Sequence, residues 1–446
     1  VPQPLPPVLQ QLIPPKDTWD PVDALLYGAD TYFTNYQEAY ARLLPAIRHS
    51  FQHHYTHNAF YHRLCDAEHI TPDQIKTHDD LHKIPLLPDT FFKDYPAPEK
   101  FPGWLQTITS TTLPTPSLGL HPTHDDVIAA YQKAGIHIMF TSGTSGRFSF
   151  VPRDDTSWNR VKYTAMKCVT ELMDYQTTDH VILLIPNPQL TNLTIASLFG
   201  IAYDLYPGNV NVSLETTQIT TQLLRLQQAD AIGLTEKLKA KALTTLSPLV
   251  YKHADQRMIT LLEHLQDQGH NVIIGGPPFW LNRLLDRIHT DDHHLTFPNG
   301  QILTGGGWKT EESTRLTEPT FRTKVHQTIG IPDHRYHDVY AMSECSSVFL
   351  SCHDHYKHVP PTILPLVLDD TLTPLPPGKT GRFAFLDPLP RTYPGFIITG
   401  DQVTLRDHCP ACHHEGPVLD TEVTRLPGSE GRGCAAVMAE LMEDTK

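Results

Sequence analysis

No run of eighteen apolar residues occurs anywhere in this chain, so no segment reads as a membrane-spanning helix. The opening VPQPLPPVLQQLIPP lacks a basic patch followed by an apolar stretch, and it reads as a proline-rich arm, not a secretion signal. Cationic excess is missing too. Lys and Arg number 35 against 49 Asp and Glu, a formal net charge of −14. That balance disfavours a nucleic-acid partner, and any polyphosphate site must be locally basic or bring its own metal. Seven cysteines, an odd number scattered over 446 residues, make no disulfide framework, and a cytoplasmic setting is the expectation. What is present, 39% hydrophobic and 19% charged residues, suits a globular chain large enough for a sizeable core. Histidine is so abundant, at 27 residues, that a single one says little.

From Pro21 to Asp94 the pattern is helical and amphipathic, with Tyr36, Tyr40, Leu43 and Leu44 near one face and Pro45 placed to bend or divide it. Loops and short helices are expected over 95–135. A strand then runs from Ile136 to Phe140, and Ser157 is placed to cap a helix reaching about Met173. Further strands are expected at 181–186, Val272 to Ile274, Gln301 to Leu303 and Asp338 to Tyr340, separated by helical segments. Such alternation argues for an α/β fold with largely parallel sheets flanked by helices. Beyond residue 360, short strands and proline-rich turns read as a smaller β subdomain. The expected division is an arm over 1–20, an α/β nucleotide- and acyl-binding core over 21–360, a β subdomain over 361–424 and a tail over 425–446.

The strand from Ile136 opens into TSGTSG, where glycines permit close backbone approach to an anion and hydroxyls add donors. It is no Walker A loop, since no Gly-Lys-Ser/Thr follows. Arg147 and Arg153 are the nearest cations that could offset charge on pyrophosphate. In ILTGGGWK, Gly305, Gly306 and Gly307 follow a strand, where the carboxyl ends of an α/β sheet open into a crevice. Trp308 reads as core, and Lys309 as a surface charge or a carboxylate contact. Cys409 and Cys412 form a C-x₂-C bite suited to zinc; Cys352 and His358 are the chosen further ligands, with His353, His355, His408 and His413 competing.

Taken with HDVYAMSECS (337–346) and FIITGDQV (396–403), the hydroxyl and glycine loop makes the chain resemble the adenylate-forming superfamily. The narrower resemblance is to acyl-protein synthetase (LuxE-type) subunits of fatty-acid reductase, with phenylacetate–CoA ligases next. It is carried by ILTGGGWK, HYKHVPP, TYPGF, CPAC and EGRGCA, and it covers about residues 30 to 440. The resemblance implies the superfamily's large-domain fold and an ATP-dependent activation of a carboxylic acid, fatty or aryl, as acyl adenylate, then acyl transfer to a protein thiol.

It also implies roles. Thr141, Ser142, Gly143, Thr144, Ser145 and Gly146 would grip the β- and γ-phosphates, although the lysine common in such loops is missing. The glycines at 305–307 would line the adenine and acyl pockets. Tyr340, with Met342 and Ser343, would cover the base; Glu344 would bind magnesium, a hard cation that prefers carboxylate oxygens. Asp401 would accept both ribose hydroxyls, and Arg425 would reach ribose or phosphate. Cys434 resembles the terminal cysteine on which acyl-protein synthetases carry the acyl group, and the four-ligand Cys/His set resembles that of zinc-bearing phenylacetate–CoA ligases. No PK-x-x-SGK-like pattern occurs, so the superfamily's mobile C-terminal domain is expected to be truncated. The cofactors implied are ATP, Mg²⁺ and structural Zn²⁺. The acceptor stays open between a reductase, a carrier protein and CoA or an amine, and a non-catalytic nucleotide-binding relative is the rival of another class. Acyl-pocket walls are expected within Pro186 to Phe199 and Ile274 to Trp280.

Overall fold

The computed structural model describes residues 6–141, 147–216, 218–228, 234–308 and 315–426. Its N-terminal part is helical. Asp20 starts the helix Pro21–Tyr27 by accepting the Val22 and Asp23 N–H groups, both at 2.8 Å. Pro45 does not divide a helix: it is the third residue of Leu43–His57, in the first turn, where its missing N–H has no helical partner to lose. The break falls earlier, between Tyr36–Tyr40 and Leu43.

Strand β1 (Leu87–Pro88) precedes a hairpin of β2 (Ile136–Thr141) and β3 (Ser149–Asp154), which pair antiparallel as a two-stranded sheet of their own. Next comes the helix Asp155–Leu172. Asp154 caps it by accepting the Ser157 N–H at 2.7 Å, so Ser157 lies inside the first turn and is not the cap expected of it. The acidic side chain three residues earlier won because only it precedes the first helical residue.

The main sheet is built from β4 (His180–Pro186), β5 (Val210–Leu214), β6 (Val272–Gly276), β7 (Gln301–Gly305), β8 (Tyr336–Tyr340), β9 (Phe349–Ser351), β10 (Lys357–His358), β11 (Leu364–Leu368), β12 (Thr380–Leu386), β13 (Phe396–Arg406) and β14 (Val418–Leu419). Their order is β11-β12-β13-β14-β10-β9-β8-β7-β6-β4-β5, with β1 and β15 (Thr424–Arg425) laid on β13. Strands β4 to β8 pair parallel and the rest of the path is antiparallel. The change of direction falls at the 341–348 connection, and the strands after residue 360 extend the same sheet.

Strand alternation divides the core. Val181, Leu183, Ile185 and Ile273 face one apolar cluster, while Ile182, Leu184, Val272, Ile274 and Ile302 face another across the sheet. Both faces are covered, which is why these strands read as continuous apolar runs. Among the described residues, no helix is long and apolar enough to cross a membrane.

Asp387, fully buried just past β12, accepts the N–H groups of Ser346 (2.6 Å) and Leu389 (2.9 Å). Burial pushes its carboxyl up to about 6, against the pull of those donors. The folded chain then keeps a proton that the unfolded chain loses near pH 4. The stability gained is complete below about pH 4 and is lost as pH rises through about 6, about 3 kcal/mol in all. Asp387→Asn is expected to remove this slope from urea melts run across that window; an unchanged slope would exclude Asp387 as its source.

Candidate active site

A cavity of about 2100 Å³ opens where the parallel strands end, the position at which α/β sheets receive ligands. Gly305, Gly306 and Gly307 form part of its wall. Gly306 and Gly307 take positive φ of 80° and 64°, a backbone that side-chain-bearing residues rarely adopt. Gly275 and Gly305 lie under the Phe199 ring; a Cβ added at Gly275 would sit 3.1 Å from it.

Thr141, the last described residue of β2, also lines the cavity and pairs with Ser149 across the hairpin. The Ser149 hydroxyl donates to one oxygen of Glu344, and the Ser343 hydroxyl donates to the other at 2.9 Å. Glu344 is buried on the cavity wall, and among the described residues no Lys or Arg forms an ion pair with it. A carboxylate so placed fits a cation supplied from outside the chain. Arg153, four residues after Ser149 on the same face of β3, does not face phosphate. It is 1% exposed, and its guanidinium donates to the carbonyls of Ser343 (2.7 Å) and Cys345 (3.2 Å) and to the Tyr393 hydroxyl (2.7 Å). Arg147 is exposed and pairs with Asp94 at 3.3 Å.

Across the cavity, Asp401 in β13 accepts the Tyr340 hydroxyl at 2.7 Å and lies 3.2 Å from Arg425 Nε. Burial raises the Asp401 carboxyl, and Arg425 and the Tyr340 hydroxyl pull it back. Pairing of β15 with β13 sets Arg425 opposite Asp401. Met342 and Ser343 complete this side.

In the antiparallel part of the sheet, at the end of β9, at β10 and in the loop between β13 and β14, the ligand atoms of Cys352, His358, Cys409 and Cys412 all lie within 4.8 Å of one another. His358 Nε2 is 3.2 Å from Cys412 Sγ, and Cys352 Sγ is 3.9 Å from Cys409 Sγ. A hydrogen bond from Cys412 draws the Cys352 thiol well below its ordinary value. Three sulfurs and one imidazole converging in this way fit a tetrahedral zinc ion. The competing histidines are otherwise engaged where partners are seen, His355 with Asp333 at 2.9 Å and His353 with Asp354 at 2.8 Å.

The family model for acyl-protein synthetase, LuxE, matches residues 235–443. Two long-chain-fatty-acid–luciferin-component ligases, of Vibrio harveyi and Aliivibrio fischeri, are each 22% identical to it, over 94% and 95% of this chain and 93% and 94% of their own. Among solved structures, 2-hydroxyisobutyryl-CoA ligase in an open conformation with 2-HIB-AMP and CoA gives a TM-score of 0.58 at 13% identity, covering 89% of this chain and 72% of that one. The same ligase in its thioesterification state gives 0.57 at 14%, covering 92% and 72%. Over residues 235–443 the chain is thus similar to the LuxE acyl-protein synthetases, and its fold is similar to that of an adenylate-forming ligase.

Ser142, Gly143, Thr144, Ser145, Gly146, Lys309 and Cys434 lie outside the described residues. The other expected nucleotide-site residues, from Thr141 to Asp401 and Arg425, share the one cavity. Four further residues on its wall were not singled out from sequence. Lys93 pairs with Asp89 at 2.7 Å, and Lys357 pairs with Asp338 at 3.2 Å. Asp338 had a readable signal, standing two residues before Tyr340 and so on the same side of its strand. Asp89 and Lys93, far upstream in a helical stretch, had none.

Arg153→Met would leave two buried carbonyls and a hydroxyl without their donor. Urea denaturation of the variant is expected to show a loss of about 2–4 kcal/mol. A loss below about 1 kcal/mol, the size of one ordinary hydrogen bond, would show that the clamp is dispensable.

Proposed function

We propose that this protein is an adenylate-forming ligase that activates a long-chain carboxylic acid with ATP and passes the acyl group to a thiol. The acid's carboxylate oxygen attacks the α-phosphorus; the bond from that phosphorus to the bridging oxygen breaks, and pyrophosphate leaves. A thiolate then attacks the acyl carbon, and AMP leaves with the mixed-anhydride oxygen. The observation that carries this reading is that Thr141, Glu344 and Asp401, distant in sequence, line one cavity.

Asp401 presents a carboxylate to the ribose hydroxyls, and Tyr340 orients it from behind. Glu344, kept in place by two hydroxyls, is the carboxylate that would hold Mg²⁺ against the phosphates; magnesium there would neutralise charge on the departing pyrophosphate. The segment 142–146 and Lys309 are assigned to the phosphates and to the acid's carboxylate from sequence alone, and Cys434 to the acyl-accepting thiol in the chain. A fatty acid suits the activity for which the two relatives are named and also the cavity's apolar arm. That arm runs along the sheet face bearing Ile185, Leu183 and Val181, beneath Ala165, Val169 and Met173 of the neighbouring helix, and reaches Tyr206. Val181 to Ile185 are four steps of ~3.3 Å along the strand, about 13 Å in all, room for a long alkyl chain. The four-ligand cluster would hold zinc as a structural staple, and its buried thiols suit a reducing, cytoplasmic setting.

Pyrophosphate exchange with acids of graded chain length tests the first half-reaction. Glu344→Gln is expected to lower the exchange rate by about a hundredfold, and Asp401→Ala to raise the KM for ATP by about tenfold. Absence of exchange by the native chain with every acid would overturn the reading. Cys434→Ala should keep exchange but lose acyl-protein on gels; acyl-CoA formed without acyl-protein would move the acceptor to CoA. Elemental analysis should find one zinc per chain, lost in Cys412→Ala together with several degrees of Tm, and a native chain free of zinc would remove the staple.

A further inference from the structure

The strands that carry the Cys/His cluster also carry the cavity floor, on alternate residues. Ser351 ends β9 and its hydroxyl accepts the Asp338 N–H at 2.7 Å, while the next residue, Cys352, joins the cluster. In β10 the neighbours Lys357 and His358 diverge as successive strand side chains do, His358 to the thiols and Lys357 to the cavity. Lys357 is 3% exposed. Its ammonium donates to the Thr421 carbonyl at 2.6 Å and lies 3.2 Å from Asp338 Oδ2, while Asp338 Oδ1 accepts the Thr304 hydroxyl at 2.7 Å. Thr421 begins the stretch of cavity wall that ends on Arg425, the partner of Asp401.

We propose that Lys357 is a positioning residue that couples metal occupancy of the Cys/His cluster to nucleotide affinity, by holding Asp338 on the cavity floor and residues 421–425 at its rim. The inference rests on the nucleotide reading of the cavity. Strand β10 is two residues long, paired to β9 and β14. Three connections meet at the cluster: the end of β9, β10 itself, and the loop holding Cys409 and Cys412. A metal there fixes the register of β10. Without one, a buried ammonium must keep both of its partners through a short strand held by its ladder alone, and misplacing it strands a charge in the interior. Glu344 and the β2–β3 hairpin hang on other contacts, so the chemical step is spared.

The test uses the full chain, zinc-loaded, chelator-treated and zinc-restored, with AMP affinity read by calorimetry. Lys357→Met is expected to weaken AMP binding and raise the KM for ATP by about tenfold each, with kcat within about twofold and zinc content unchanged. Lys357→Arg should recover most of the loss. Chelation should weaken AMP binding to the native chain by a similar factor, reversibly, yet add nothing to Lys357→Met, because both act through one link. Additive losses, native AMP affinity in Lys357→Met, or a fall confined to kcat would each overturn the coupling. Should the methionine variant not fold, the native chain decides alone: equal AMP affinity with and without zinc overturns it. A native chain that neither binds AMP nor exchanges pyrophosphate sinks the function itself instead.

Discussion

The buried guanidinium of Arg153 and the hydroxyl of Ser149 join two pieces of backbone that have no sheet hydrogen bonds in common. The hairpin of β2 and β3 pairs with itself, while Glu344 belongs to the connection at which the main sheet turns from parallel to antiparallel. The two side chains lie four residues apart on one strand face, and both reach the 343–345 backbone or side chains. Charge-assisted hydrogen bonds away from water are both stronger and costlier to lose than exposed ones. The relation between β3 and the Glu344 carboxylate is therefore set by a contact with two possible outcomes, made or broken.

The same sheet serves three purposes by the period-two alternation of its strands. One face of β4, β6 and β7 walls the apolar arm, and the opposite face closes a separate core against the helices Pro278–Thr290 and Glu318–Ile329. The carboxyl ends face the cavity. In the antiparallel part, β10 sends Lys357 to the cavity and His358 to the sulfur cluster. A one-residue slip in β10 would exchange Lys357 for His358 and ruin both sites at once.

What the sequence revealed follows from the range of the interactions involved. Strands β4, β6 and β7 were legible because burial on two faces leaves an apolar run bounded by polar turns. The C-x₂-C bite was legible because its spacing is local. The partner strand β3 went unread: Phe148, Phe150 and Val151 are all buried, so no alternation marks it as a strand pairing back on β2. Arg153 looked like a phosphate contact because sequence gives its distance from the glycine loop but not its 190-residue reach to Ser343. The helix cap moved from Ser157 to Asp154, and Pro45 caused no break, for local reasons that depend on where the first helical turn falls. A shift of two or three residues there is below what side-chain pattern alone resolves.

Charge is the reason that the proposed nucleotide would need a divalent cation in this cavity. Four of its five described cations are answered by carboxylates: Lys93 by Asp89, Arg283 by a two-point contact with Asp255, Lys357 by Asp338, and Arg425 by Asp401. The chain as a whole is strongly acidic, so no long-range field draws a polyphosphate inward. An ATP molecule entering here meets paired side chains, and taking a lysine or arginine for itself would leave a carboxylate behind in a partly dry site. Glu344 differs, with two hydroxyl donors and no cationic side chain paired to it among the described residues. Magnesium carried in by the nucleotide would satisfy that carboxylate and screen the phosphates in one step, without breaking any of the existing ion pairs.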